Sequence, residues 1–348
     1  MTLIDWLWAI PVFGLLIFIH ELGHFAVAKF FGIRVHEFAL GFGPVVVGFD
    51  RGETRYALRA IPLGGFVRMA GMDETEQDDP RGFNQKPILA RSLTIAAGPI
   101  MNLVLASVLF SLLIYHVGVT LPDPVLGGVL TECSVQVGDE VKSQPCPAAT
   151  AGLKAGDRIL AINGTPVAEW SDILRIVGSS DGSPIAFTIQ RGEASEEITI
   201  QPIQQEGRFV VGITPSTGRG SFFQALKDGP AYTVTYTKAV AGGLLDAITG
   251  RTKMDVSGPV GITREIATQA SQGLDNLITL TALLSINLGI FNLLPIPALD
   301  GSRLVFMLVE LVRGRRVDPQ RENMVHFTGF VLLLGLIMVV TYFDLFGR

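Results

Sequence analysis

The clearest shortage in this sequence is charge, because Asp, Glu, Lys and Arg make up only 17% of its 348 residues. Soluble domains carry about 25% charged residues, whereas this chain is 48% hydrophobic and has a mean hydropathy of +0.43. The composition therefore predicts a membrane protein in contact with a lipid bilayer. The formal net charge is −5, which leaves no basic excess, so we expect no nucleic-acid partner.

Cysteine is also scarce, because the chain contains only Cys133 and Cys146. Two cysteines exclude a disulfide-rich scaffold and a cysteine-based metal cluster. Whether the two form a disulfide depends on the side of the membrane that they face.

Four segments are long and apolar enough to cross a bilayer, which takes about 20 residues. They are residues 6–31, 92–122, 276–299 and 326–343. A fifth apolar segment, residues 229–250, contains Lys238 and Asp246, so we predict an interfacial or protein-packed helix there and not a span. The first span lacks a basic N-terminal region and a small-residue cleavage site, so we expect it to be retained and not removed as a signal peptide.

The distribution of lysine and arginine predicts the orientation of the spans. These residues are concentrated between the first and second spans and between the third and fourth, while the first five residues contain none. Cytoplasmic loops are enriched in Lys and Arg, so both termini and residues 123–275 are expected outside, in the periplasm of a bacterial inner membrane. That compartment is oxidising, and we therefore predict a disulfide between Cys133 and Cys146.

The first cytoplasmic loop is predicted to contain a β-hairpin. Residues 55–61 are typical of a strand, residues 62–65 of a turn and residues 66–69 of a returning strand. The apolar character of this hairpin, beside a span, predicts that it dips toward the membrane. The acidic run at residues 73–79 is expected to be a solvated loop without a function of its own.

The external segment contains the pattern Ala-Gly-Leu-x-x-Gly-Asp-x-Ile-x-x-Ile-Asn-Gly at residues 151–164. Its Asn-Gly pair is a strong signal for a hairpin turn. The whole pattern resembles PDZ domains, which bind extended peptides as an added strand. We therefore predict one PDZ domain over residues 123–215, and the alternative is a β-rich spacer without a ligand.

A metal-binding motif, His20-Glu21-Leu22-Gly23-His24, interrupts the first span. Residues four apart share one helix face, about 5–6 Å from each other, so His20 and His24 can bind one ion. Glu21 lies close enough to act on an activated water. Zn²⁺ is the expected ion, because imidazole suits it and catalytic zinc sites use three protein ligands. Ionisable residues inside a span are costly and usually functional; the alternative is a structural polar cluster paired with another helix.

The third ligand is expected from the sequence Asn-Leu-Leu-Pro-Ile-Pro-Ala-Leu-Asp-Gly at residues 292–301, where the third span ends. Pro295 and Pro297 unwind the helix, which is tolerated at depth only where the backbone is buried in protein or lines a cavity. About 14 apolar residues, roughly 21 Å of helix, precede His20, so His20 and Asp300 are both expected in the cytoplasmic half of the membrane. The alternative is that Asp300 caps the span at the interface, beside Arg303.

Together these motifs resemble the site-2 protease family of intramembrane metalloproteases, in the bacterial branch that cleaves membrane-bound anti-sigma factors. The resemblance extends to residues 41–44, 61–72, 97–102 and 257–261, and so covers nearly the whole chain. It implies that His20, His24 and Asp300 ligate Zn²⁺ and that Glu21 is the general base.

The same resemblance implies which residues contact the substrate. Asn292 and Asn102 would help to position it, and the hairpin at Gly64 and Gly65 would pair with it as an added strand. The unwound backbone at Pro295 and Pro297 is suited to hold an extended strand. Some members of the family carry two PDZ domains, whereas this chain has room for one.

The sequence thus predicts a polytopic α-helical membrane protein with four transmembrane helices, a membrane-associated β-hairpin and one external β-rich PDZ domain. The predicted divisions are residues 1–122 with two spans, 123–215 with the PDZ domain, 216–275 with amphipathic linker helices and 276–348 with two more spans. The predicted function is hydrolysis of peptide bonds within single-span membrane proteins, such as pre-trimmed anti-sigma factors or signal peptides. The rivals are a non-catalytic receptor or scaffold with a structural metal, and a transporter, although no inverted repeat is found.

Overall fold

The computed structural model describes residues 3–72, 78–120, 123–137, 140–205, 208–218, 221–251 and 258–346. The chain divides into two compact units. One combines Met1–Leu113 with Phe222–Arg348, and the other is Ile114–Ser221. We call the first the membrane unit and the second the β-rich unit.

The membrane unit is built mainly from helices. Before the β-rich unit they are α1 (Leu3–Leu7), α2 (Ala9–Phe30) and α3 (Ile88–Val117). After it they are α6 (Phe222–Ile248), α7 (Pro259–Gln272), α8 (Leu274–Leu293), α9 (Asp300–Arg313) and α10 (Pro319–Phe346). A short 3₁₀ helix covers Phe83–Gln85. Within the described residues, four segments are long and apolar enough to cross a membrane: Ile4–Phe30, Ile88–Val117, Leu274–Leu293 and Gln320–Phe346. The prediction of four apolar helices is confirmed, and α6 is not among them.

The third span ends earlier than predicted. The sequence predicts that it continues to residue 299, but α8 ends at Leu293 and residues 294–299 are not helical. The physical reason is that Pro295 and Pro297 cannot donate a backbone hydrogen bond, and Ala298 adopts a positive φ of 78°. Asp300 therefore does not end a span; it begins α9, a helix that the sequence did not reveal.

The segment between α2 and α3 forms a bent sheet of two long antiparallel strands, β1 (Val35–Arg51) and β2 (Thr54–Met69). The predicted pairing of residues 55–61 with residues 66–69 is wrong. Leu40 of β1 pairs with both Leu58 and Gly65 of β2, and its two preceding residues also have two partners each. Because a strand has two edges, this part of β1 lies between the two parts of β2. Of the acidic run, residues 73–77 lie outside the described residues.

The β-rich unit holds short strands and two short helices, α4 (Pro147–Thr150) and α5 (Trp170–Gly178). The strands are β3 (Val119–Thr120), β4 (Leu126–Val129), β5 (Glu132–Val137), β6 (Glu140–Pro145), β7 (Arg158–Ile162), β8 (Thr165–Pro166), β9 (Ile185–Arg191), β10 (Ala194–Ile200), β11 (Ile203–Gln205), β12 (Arg208–Val210), β13 (Ile213–Pro215) and β14 (Thr217–Gly218). The largest sheet has the order β10-β9-β7-β8. Its core includes Ile159, Ile162 and Phe187, which are fully buried. Asn163 and Gly164, both at positive φ, turn the chain from β7 into β8, as their sequence predicts.

A disulfide and an ion pair stabilise the β-rich unit. Cys133 and Cys146 form a disulfide that joins the ends of the β5–β6 hairpin. The carboxylate of Asp157, only 2% exposed, accepts hydrogen bonds from Nε and Nη2 of Arg191 at 2.8 and 2.7 Å. It also accepts the backbone N–H of Lys154. These hydrogen bonds, that of Arg191 first, hold the pKa of Asp157 below its ordinary value.

Candidate metal centre

The helix α2 carries His20 and His24 on one face, and both are buried at 8% and 6% exposure. Close packing of α2 on α3 brings this face to its neighbour. A Cβ atom on Gly23 would lie 2.3 Å from the carbonyl oxygen of Ala97, and one on Gly98 would lie 2.3 Å from Nε2 of His24. Glycine at both positions is what allows the two helices, and the His24 imidazole, to approach so closely.

Each imidazole has a partner on its Nδ1 side. Nδ1 of His24 lies 2.8 Å from the backbone carbonyl oxygen of Thr94, and Nδ1 of His20 lies 3.1 Å from Nδ2 of Asn102. In both rings Nε2 is left to face the same point. The two Nε2 atoms are 3.2 Å apart.

Asp300 reaches this point from the start of α9. The chain returns toward α8 there, and a Cβ atom on Gly301 would lie 2.2 Å from the carbonyl oxygen of Leu294 and 2.3 Å from that of Leu293. Oδ2 of Asp300 is 3.2 Å from Nε2 of His20 and 3.3 Å from Nε2 of His24. The unwound segment and its glycine therefore deliver the carboxylate to the two histidines.

These three ligand atoms fit a metal ion. Their separations of 3.2, 3.2 and 3.3 Å form a nearly equilateral triangle. Zinc bonds of about 2.0–2.1 Å in a tetrahedron place neighbouring ligands about 3.3–3.4 Å apart. In addition, Oδ2 of Asp300 is buried and has no hydrogen-bond partner within the described residues, which is expected of an oxygen whose partner is a cation. A zinc ion held by these three residues would keep a coordination position open for water or substrate.

A cavity of about 320 Å³ opens beside the triangle. Glu21, Gly65 and Asn292 line it together with the three ligand residues. The strand β2 passes close to α2 here, since a Cβ atom on Gly65 would lie 3.1 Å from Cγ of Glu21. A polar cavity with a carboxylate and a carboxamide beside a metal position can bind a peptide and move a proton.

The other residues predicted to contact substrate do not line this cavity. Asn102 is fully buried behind His20. Gly64 packs on the ring of Phe42, and Pro297 packs on Gly329 of α10. Pro295 lies in the unwound segment between α8 and α9.

Two contributors to the site were missed in the sequence. Arg303 lines the cavity one helical turn after Asp300, and its Nη1 lies 3.9 Å from Sδ of Met72. The sequence shows Arg303 three residues after Asp300, but this spacing indicates a shared helix face only when α9 is known to start at Asp300. The second is the backbone carbonyl of Thr94, for which no side-chain signal exists.

Comparison with known proteins identifies the family. Residues 8–336 match the model of peptidase family M50. The zinc metalloprotease RasP of Geobacillus kaustophilus is 34% identical over 419 aligned positions, covering 97% of this chain and 96% of that protein. The regulator of sigma-W protease RasP of Bacillus subtilis is 34% identical over 422 positions, covering 97% of each protein. The chain belongs to peptidase family M50, the site-2 protease family, and is a zinc metalloprotease with four candidate membrane-spanning helices.

Proposed function

We propose that this protein is an intramembrane protease whose Zn²⁺ is held by His20, His24 and Asp300. The observation that carries the proposal is the triangle of their ligand atoms, with sides of 3.2–3.3 Å. Two of the ligands lie on an apolar helix long enough to span a membrane. Ionisable groups are expensive in such a helix, so a catalytic role accounts for them better than packing does.

In this proposal Glu21 is the general base. Zinc held by the three residues would act as a Lewis acid on water and on the scissile carbonyl. The carboxylate of Glu21 lines the cavity beside the ligands, where it can accept the proton of the attacking water. It can then deliver that proton to the leaving nitrogen of the substrate.

The substrate is proposed to be a transmembrane segment that has been unwound. Peptide groups in a helix are hydrogen-bonded to one another and shielded by lipid, so a hydrolysable segment must become extended first. The carboxamide of Asn292 can donate to a substrate carbonyl and accept from a substrate N–H. The backbone of β2 at Gly65, which also lines the cavity, is placed to pair with an extended chain.

The substrate class is proposed to be single-span membrane proteins, such as trimmed anti-sigma factors or signal peptides. The name of the Bacillus subtilis relative, a regulator of sigma-W protease, supports a role in proteolysis that controls a sigma factor. We propose a bacterial inner-membrane location with both termini and the β-rich unit outside, on the basis of the Lys and Arg distribution. We further propose that the β-rich unit is a PDZ domain, from its sequence pattern at residues 151–164.

The replacement Glu21→Gln tests the role of Glu21 most directly. It should abolish cleavage of a single-span reporter by the purified protein while zinc content stays at the wild-type level, because it removes the base and leaves the ligands. A chelator should stop the wild-type protein, and His20→Ala should lose zinc and activity together. Near-normal turnover by the Gln variant would overturn the proposed mechanism. A receptor or scaffold with a structural metal would cleave no reporter in any of these conditions.

A further inference from the structure

The two histidines of the metal centre differ in the group that contacts Nδ1, the ring nitrogen that faces away from Asp300. Nδ1 of His24 faces a backbone carbonyl, that of Thr94, at 2.8 Å. A carbonyl can only accept, so Nδ1 of His24 carries the hydrogen and its Nε2 has a free lone pair. Nδ1 of His20 faces a carboxamide, that of Asn102, at 3.1 Å, and a carboxamide can either donate or accept.

In the arrangement of the structure Asn102 is only half satisfied. Its side-chain nitrogen points to Nδ1 of His20, while its Oδ1 atom is buried without a hydrogen-bond partner within the described residues. The residue has no exposure to solvent, so water cannot supply that partner. The two ends of a carboxamide have the same shape, so Oδ1 of Asn102 can occupy the position beside Nδ1 of His20. An imidazole that binds a metal through Nε2 carries its hydrogen on Nδ1, so the group that faces Nδ1 has to accept that hydrogen.

We propose that Asn102 is a positioning residue for His20, with its carboxamide oxygen accepting the hydrogen of Nδ1 when zinc is bound. That hydrogen bond leaves the lone pair of Nε2 of His20 free for the metal. Asn102 would then do for His20 what the Thr94 carbonyl does for His24. This inference rests on the proposed zinc site and replaces the substrate contact that the family resemblance implied for Asn102.

The surroundings of Asn102 suit a residue that positions a histidine. The backbone carbonyl of Asn102 accepts a hydrogen bond from Oγ of Ser285 at 2.7 Å, which ties α3 to α8 at this level. The amide group itself has the His20 ring as its partner. The Asn102 carboxamide is therefore held at the Nδ1 side of the ring.

The chemistry of the amide predicts an order for variants at this position. Asn102→Asp keeps the shape and provides an acceptor only, so it should hold His20 in the metal-binding tautomer. Asn102→Leu provides neither donor nor acceptor and leaves the Nδ1 hydrogen buried without a partner. Loss of an outer partner of a metal-bound histidine typically weakens metal binding about 10–100-fold. We expect that loss in the Leu variant and none in the Asp variant.

The experiment is a zinc competition titration of the purified full-length protein in detergent against a chromogenic chelator. The matched control is Ser107→Ala on the same helix, since the Ser107 hydroxyl bonds to Leu103 and Thr233 and not to His20. The proposal expects wild-type affinity for the control, wild-type or tighter affinity for Asn102→Asp, and a loss of about 10–100-fold for Asn102→Leu.

Two results would overturn the proposal while leaving the zinc site standing. One is an Asn102→Leu variant that binds zinc as tightly as the wild type, as a substrate-contact role would predict. The other is an Asn102→Asp variant that loses about 10–100-fold in zinc affinity, the loss expected of the Leu variant. This second result decides even if the Leu variant does not fold. Wild-type protein that binds no zinc, or His20→Ala that binds it normally, would instead overturn the proposed metal site and this inference with it.

Discussion

The close approach of α3 to His24 makes Gly98→Ala a sharp test of the metal centre. An added Cβ atom would lie 2.3 Å from Nε2 and 2.6 Å from Cε1 of His24. Ordinary contacts of a Cβ atom begin at about 3.4 Å, so the ring must move by roughly 1 Å. Zinc sites tolerate changes in ligand distance of about 0.2 Å. The substitution should therefore remove His24 from the ligand set.

We expect Gly98→Ala to weaken zinc binding by at least about 100-fold, more than the loss of an outer partner causes. The assay is zinc content and affinity of the detergent-purified variant, with circular dichroism to show that its helices are retained. Gly14→Ala is the matched control, because Gly14 lies in the same span as His24 and a Cβ atom there would meet nothing within 4 Å. Wild-type zinc affinity in the Gly98→Ala variant would refute the geometry of the site described above.

Two further predictions concern charged residues. Asp300→Asn should lower zinc occupancy and cleavage together, because a neutral amide is a poorer ligand than a carboxylate; full zinc occupancy by elemental analysis would show that Asp300 is not a ligand. Arg191→Ala should speed hydrogen exchange in β7 and β9, since Asp157 loses the guanidinium that lowers its pKa. A carboxyl group whose pKa is lowered by folding stabilises the folded state at pH values above its unfolded pKa of about 3.9. This stabilisation is lost as the pH falls through the folded pKa. The variant should therefore exchange faster than wild type near pH 7 and converge with it as the pH falls through the folded pKa of Asp157. Equal exchange at pH 7 would contradict the role of Arg191.

Local patterns in the sequence predicted the parts of this protein that depend on neighbours in the chain. The spacing of His20 and His24 follows from helix periodicity, and the turn at Asn163 follows from the conformations that Asn-Gly favours. The four apolar helices follow from length and composition. In each case the physical cause lies within a few residues of its effect.

The parts that were missed depend on residues far apart in the chain. Residues 55–61 and 66–69 are separated by a turn signal, yet both pair with β1, which no local pattern reveals. The start of α9 depends on the contact of Gly301 with the end of α8. Similarly, the contact of Asn102 with His20 joins two helices that are 82 positions apart at these residues.

The β-rich unit can be removed in a way that the structure suggests. It is inserted in the chain between α3 and α6. Its first and last strands, β3 and β14, pair through Thr120 with Thr217 and through Val119 with Gly218. The two ends therefore lie side by side, and a short Gly-Ser linker can replace residues 123–215 between these paired strands.

This deletion distinguishes two roles for the β-rich unit. If the unit is external and the metal lies in the cytoplasmic half of the membrane, as the sequence predicts, it contributes no catalytic group, and the deletion should leave zinc binding unchanged. If the unit acts as a size filter, it excludes substrates with large external domains, so its removal should allow untrimmed substrates to be cleaved. If the unit instead recruits substrate by binding it in a peptide groove, its removal should slow cleavage of trimmed substrates and leave untrimmed ones resistant.

We expect the result that a size filter predicts, because a filter requires only bulk on the external side, whereas recruitment requires an open groove as well. The assay is the cleavage rate of one reporter with a long and a short external domain, by wild-type and deleted protein; slower cleavage of the short reporter by the deleted protein would overturn the filter.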